Sequence, residues 1–189
     1  MSTIEPSPVA EVRTEPPATE GDWVEELHDG TKVTIRALHA HDVELERRFI
    51  EALSPESRRY RFMETMSSPS ESLLAQLTTL DPLTDVAYLA LLGTGPGQRE
   101  IGVARFSAAP GAPDCEFAVT VTDDWQRKGL GTALMRHLIN VARARGFRAM
   151  HSSDSSDNDS MRQFAAHLHF QKSPDPDDAR LILYSVKLD

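Results

Sequence analysis

The stretch CEFAVTVTDDWQRKGLGTALM, residues 115–135, carries the most chemically suggestive spacing in the chain. An alternating strand, Cys115–Thr122, runs into Gln126-Arg127-Lys128-Gly129-Leu130-Gly131, and a helix opens directly behind it. Glycines let the backbone turn so that successive N–H groups converge. The first helical turn adds its unpaired donors and the positive end of its dipole. Arg127 and Lys128 put two cations beside that corner. A pyrophosphate is the natural occupant of such a site. Gly-x-Gly alone can equally be a tight strand–helix turn that binds nothing. The loop lacks the terminal Lys-Ser/Thr of a P-loop, and Leu134 stands where a dinucleotide fingerprint would carry its third glycine.

Other reactive side chains are less suggestive. No motif pairs Cys115 with an activating base, so it reads as a packed strand cysteine. The run SSDSSDNDS, residues 152–160, holds Asp154, Asp157 and Asp159 but neither the glycine nor the final glutamate of an EF-hand loop. It reads as a polar strand–helix connector. His39 with His41, and His167 with His169, sit two apart without a third ligand at sensible spacing, so no metal site is expected. Trp23 and Trp125 read as packing or surface residues.

The elements that must position the loop follow from periodicity. Val33 and Ile35 alternate with Lys32, Thr34 and Arg36, the pattern of a half-buried strand. Leu45, Phe49, Ala52 and Leu53 mark one helical face. Ser54-Pro55 restarts the chain as an N-cap followed by proline, giving a second helix to about Met63. Leu73, Leu74, Leu77 and Leu80 mark a third helix. Strands are expected over Val86–Leu92, Ile101–Ala108 and Cys115–Thr122. Leu130, Leu134, Leu138 and Val141 then define a helix that stops at Gly146. Phe147–Ser152 reads as a strand, Asn158–His167 as a helix and Arg180–Leu188 as a closing strand. The order β-α-α-α-β-β-β-α-β-α-β-β implies a mixed sheet with helices on its faces.

Gln-x-x-Gly-x-Gly after an alternating strand, with an amphipathic helix following, resembles the acetyl-CoA-binding motif of the GCN5-related N-acetyltransferases (GNAT). The segments DGTKVTIRAL, LSPESRRYRF and CEFAV are similar to the acetyltransferase domain of bacterial Pat-type protein-lysine acetyltransferases, over about residues 28–172. The resemblance implies a mixed α/β fold. Its central sheet would have about seven strands and a V-shaped split between two parallel strands, here Cys115–Thr122 and Phe147–Ser153. It implies that the pyrophosphate of coenzyme A lies on Gln126, Arg127, Lys128, Gly129, Leu130, Gly131 and Thr132. Val119, Val121 and Asn158 would complete the cofactor contacts, and the Val119 N–H would stabilise the oxyanion. Glu116 corresponds to the family's general base, and small or apolar neighbours would raise its pKa, which suits that task. Ala165 falls where many relatives carry a tyrosine acid, and His169 replaces a glycine usual before Phe170. Arg58, Arg59 and Arg61 either line the acceptor side or solvate a helix.

With 29 acidic and 20 basic residues the chain is acidic, but eight of the acids and one base fall in residues 1–30, leaving a nearly neutral body. That distribution does not suit a nucleic-acid surface. Pro6, Pro8, Pro16 and Pro17, many acids and few large apolar groups make residues 1–22 an expected disordered tail before a single domain, 23–189. No run reaches the roughly 18–20 apolar residues of a membrane helix. The amino terminus lacks the basic start and apolar run of a secretory signal, and one cysteine forms no internal disulfide. The expected protein is therefore cytoplasmic and has no membrane partner. Its expected reaction moves an acetyl group from acetyl-CoA directly to a primary amine, by resemblance a protein lysine. A small-molecule amine acceptor and a coenzyme A-binding sensor without turnover are the alternatives.

Overall fold

The computed structural model describes residues 21–188, so the expected leader lies almost wholly outside the described residues. The chain order is β1 (Trp23–Glu26), β2 (Lys32–Ala37), α1 (Val43–Ala52), α2 (Pro55–Phe62), α3 (Glu71–Thr78), β3 (Val86–Leu92), β4 (Arg99–Ser107) and β5 (Asp114–Val121). It continues with α4 (Leu130–Ala144), β6 (Ala149–Ser155), α5 (Asp159–His167), β7 (Gln171–Pro174) and β8 (Leu181–Lys187). The strands form one sheet in the order β1-β2-β3-β4-β5-β6-β8-β7. The sheet has eight strands instead of about seven. The extra one is β1, where Trp23 stacks on His137 of α4 and meets Tyr88 of β3 edge-on.

Every neighbouring pair is antiparallel except β5 and β6. Helices cover both faces. On one side α4 lays Leu130, Leu134, Leu138 and Val141 against Val33, Ile35, Tyr88 and Phe106. On the other, Phe49, Ile50 and Leu53 of the α1 segment join Leu74 and Leu77 of α3 over Ala87, Leu89, Leu91 and Val103. Burying side chains of this size contributes about 1.5–3 kcal/mol each.

Two local features depart from regular geometry. Between β3 and β4 the register slips, with Ala90 opposite Gly102 but Leu91 opposite Glu100, so Ile101 is the extra residue of a bulge. The slip leaves Glu100 on the α1 face, beside Leu91. The second feature is the end of α5, which is closed by paired backbone bonds. Phe170 N–H donates to Ala165 O and His169 N–H to Ala166 O, with His169 at φ 57°. His169 therefore adopts the left-handed conformation expected of the missing glycine, and the turn is kept.

Candidate active site

The site grows from the one parallel pairing. β5 and β6 are in register only through Asp114↔Ala149, Cys115↔Met150 and Glu116↔His151. Beyond Glu116 the two strands part, which is the V-shaped split expected. Thr122 donates its N–H to Ile101 O of β4 at 3.0 Å. Because an antiparallel ladder alternates, Thr120 and Ala118 also turn their amides toward β4. The N–H groups of Val119 and Val121 are thus aimed away from β4, into the gap.

A cleft of about 550 Å³ occupies this gap. β5 contributes Glu116 to Val121, β6 contributes Ser152 to Asp154, α5 contributes Asn158 and Phe164, and α2 contributes Tyr60 and Arg61. Its far end is the loop leading into α4. There Arg127 takes φ 59° and Gly129 φ 90°, so the chain folds back on itself before the helix. The helical ladder starts with Ala133 N–H donating to Gly129 O, and no side chain caps Gly129. The amides of Leu130, Gly131 and Thr132 are those that an α-helix leaves without an intrahelical acceptor. They fit an anionic diphosphate, with Arg127 exposed beside them.

Both glycines are held by contacts as well as by conformation. A Cβ on Gly129 would lie 2.8 Å from His28 Nε2, and one on Gly131 would lie 3.1 Å from the Phe164 ring. His28 lines the cleft next to this corner and was not foreseen, since it lies about one hundred residues away in sequence.

The expected site residues do not all turn their side chains inward. Glu116, Val119, Val121, Gln126, Arg127, Gly129, Gly131, Thr132 and Asn158 line the cleft. Gln126 donates from Nε2 to Val121 O at 3.2 Å, bracing the loop against the strand end. Lys128 departs from expectation, because its ammonium sits 3.3 Å from Asp29 and over the Trp125 ring. Leu130 departs too, with its side chain buried in the core. Neither of these two residues lines the cleft. Asn158 caps α5, its Oδ1 accepting from Met161 N–H while Nδ2 donates to Asp154. Burial pushes the Asp154 carboxyl up in spite of donors from Asn158 and Ser155.

Glu116, Ala118 and Thr120 share the strand face that looks toward α2, whereas Phe117, Val119 and Val121 share the other. Glu116 is exposed, so the shielding expected from its neighbours is not met. α5 turns Ser160, Gln163, Phe164 and His167 to the cleft and buries Ala165 in the core, so no acid sits at that position.

Helix α2 spans the opening. Its N-terminal end is tied to the turn after β5, where Asp123 accepts from Ser54 N–H, Ser54 Oγ and Ser57 Oγ at 2.8–2.9 Å. Further along, Arg59 pairs with Asp157 at 3.1 Å and Tyr60 donates to Asp157 O at 3.2 Å, both on the loop after β6. Of the three arginines on this helix, Arg61 lines the cleft, Arg59 ties the helix down and Arg58 donates to Ser67 O.

A split parallel pair leading into an uncapped helix start is the arrangement that the resemblance implied, and similarity to known proteins agrees. The family model described as acetyltransferase (GNAT) family matches residues 52–170. Acetyltransferase PA5475 of Pseudomonas aeruginosa is 44% identical over 172 residues, spanning 90% of this chain and 92% of the relative. Among solved structures, the GNAT domain of S. lividans PAT superposes with a TM-score of 0.80 at 24% identity, over 88% of this chain and 96% of that one. A cAMP-binding acyltransferase from Mycobacterium smegmatis gives a TM-score of 0.62 at 23% identity, over 89% of this chain but 48% of that one. The chain belongs to the GNAT acetyltransferase family and is an acyl-CoA-dependent N-acetyltransferase.

Proposed function

We propose that the protein acetylates a primary amine, a lysine side chain of a protein, by direct transfer from acetyl-CoA, with Glu116 as general base. The observation that carries this reading is the parting of β5 and β6 immediately after Glu116. It aligns the carboxylate, the Val119 amide and the anion corner of α4 along one cleft. Bound acetyl-CoA supplies a thioester carbonyl as electrophile and a thiolate as leaving group.

The chain's own groups then have separate tasks. The amides of Gly131 and Thr132, with Arg127, hold the diphosphate, and the gap between β5 and β6 receives the arm of the carrier. A lysine ammonium, of reference pKa about 10.4, must lose a proton before it can attack. Glu116 accepts that proton, and its place on the open strand face lets it reach an amine entering under α2. The Val119 N–H donates to the oxygen that gains charge as the amine adds. Fixing these groups on a strand and a helix start holds them in register with each other.

The cleft also carries Glu56 and Asp154, which favours a cationic acceptor. A protein acceptor is supported by one further likeness. The ribosomal-protein-S18-alanine N-acetyltransferase of Escherichia coli shares this fold, with a TM-score of 0.59 at 19% identity. A cytoplasmic location accords with this chemistry, and no helix among the described residues is long and apolar enough to cross a membrane. The test is mass spectrometry of candidate proteins after incubation with acetyl-CoA. Acetyl-lysine appearing only with active enzyme is expected. Free amines turned over as efficiently as any protein would replace the lysine acceptor with a small molecule.

A further inference from the structure

His28 touches the corner before α4, and none of the tasks in the acetyl transfer falls to it. It stands in the turn that joins β1 to β2, before residues 52–170 that the family model matches. Leu27 is buried there, and the turn closes on itself through Leu27 N–H to Thr31 O at 2.8 Å and Gly30 N–H to Leu27 O at 2.9 Å. Two contacts fasten this turn to the glycine loop. His28 N–H donates to Lys128 O at 3.1 Å, and the Lys128 ammonium sits 3.3 Å from Asp29 Oδ2. Asp29 Oδ1 accepts from Thr31 N–H at 3.0 Å, so both oxygens of that carboxylate are engaged.

The His28 ring itself lies against Gly129. A Cβ on that glycine would fall 2.8 Å from Nε2 and 3.1 Å from Cδ2 and Cε1, so the ring edge that carries Nε2 takes the space a side chain would fill. The imidazole is exposed and lines the same cleft as Arg127, Gly131 and Thr132. Its nitrogens have no hydrogen-bond partner among the described residues. An imidazole N–H is a good donor to an anionic oxygen, and a bond to an ionised acceptor is stronger than one between neutral groups. A donor whose backbone is already tied to the loop loses little freedom when a ligand arrives.

We propose that His28 is a cosubstrate-binding residue: from the β1–β2 turn its Nε2–H donates to an oxygen of the acetyl-CoA diphosphate, adding to the corner a donor from outside the β5–α4 segment. This rests on the reading of that corner as the diphosphate site. The turn between β1 and β2 thereby becomes one wall of the cosubstrate cleft.

The test is calorimetry on the full chain with three acetyl donors: acetyl-CoA, its 3′-dephospho form, and S-acetyl-pantetheine, which carries no phosphate and is titrated by displacement. His28→Ala is expected to weaken acetyl-CoA binding about tenfold, and the dephospho form equally, with S-acetyl-pantetheine unchanged within about twofold. His28→Phe, which keeps a flat ring against Gly129 but no donor, is expected to lose as much. His28→Gln, which restores an N–H at similar reach, is expected to recover part of the affinity, and melting temperatures of all variants accompany the titrations. Parent affinity in a folded His28→Ala or His28→Phe protein overturns the proposal. So does a loss that persists with S-acetyl-pantetheine, which would make the ring a packing group, or one that vanishes with the dephospho form, which would place it on the 3′-phosphate. Should His28→Ala not fold, His28→Phe is compared with His28→Gln, and equal affinities overturn it. A parent protein that binds S-acetyl-pantetheine as tightly as acetyl-CoA removes the diphosphate site itself, a failure distinct from a His28 without influence.

Discussion

Glu116 is the last residue of β5 in register with β6, opposite His151, and beyond this pair the parallel strands separate. The carboxylate therefore stands at the point where the sheet stops being continuous. A group placed there reaches whatever enters from the α2 side, while the amides beyond it reach whatever fills the gap.

Replacing Glu116 by glutamine keeps the shape and removes the proton acceptor. Steady-state kinetics should show kcat reduced by about a hundredfold or more. Calorimetry should show acetyl-CoA affinity close to that of the parent. A pH–rate profile unaltered by the substitution would assign proton removal to another group.

The corner before α4 allows little room for side chains. Gly131→Val directs its branched side chain at the Phe164 ring, which a Cβ already meets at 3.1 Å. Acetyl-CoA affinity should fall about tenfold or more, since Phe164 and the helix start must shift to admit it. Gly129→Ala combines a left-handed backbone with a Cβ 2.8 Å from His28, so it should also cost about 1–2 kcal/mol of stability in urea titrations. Unchanged affinity in Gly131→Val would separate this corner from cosubstrate binding.

Burial, followed by the charge of Glu46, drives the Glu100 carboxyl well above the usual carboxylate range. The folded state then binds a proton more tightly than the unfolded chain. That stability is fully present below the unfolded value, near 4.5, and is lost as pH rises through the folded value. Glu100→Gln imitates the protonated acid and removes this dependence. It should gain about 1–3 kcal/mol at pH 8 and change little at pH 4, by urea unfolding at both. The Arg36–Asp42 pair acts in the other direction and at lower pH. Burial raises Asp42, but Arg36 and the His39 N–H more than offset it, so that contribution disappears only on acidification. A slope above pH 4 that is the same in parent and variant would acquit Glu100.

Burial pushes the Cys115 thiol up to about 12, and the residue is 1% exposed. Native enzyme at pH 8 should resist iodoacetamide, as read by intact mass, until it is unfolded. Rapid alkylation of the folded enzyme would contradict this packing.

The expected fold was legible wherever the signal was local. The period-two runs of β3 to β5, the helical spacing of α4 and the Ser54-Pro55 start of α2 depend on neighbours a few residues away. The glycine turn into α4 was legible for the same reason. Strand β1 escaped because four residues with two adjacent acids carry no clear alternation, and Trp23 finds its partners, Tyr88 and His137, far along the chain. Lys128 was placed in the loop by its charge, yet Asp29 and Trp125 draw its side chain away. Glu100 was invisible because one surplus residue, Ile101, reverses the face that simple alternation assigns.

Helix α2 is fastened to both arms of the V, through Asp123 on one and Asp157 on the other. It thus works as a tie-bar rather than a flap. Its attachments join the turn after β5 to the loop after β6 across the open side of the cleft. Losing either aspartate would leave the helix held at one end alone.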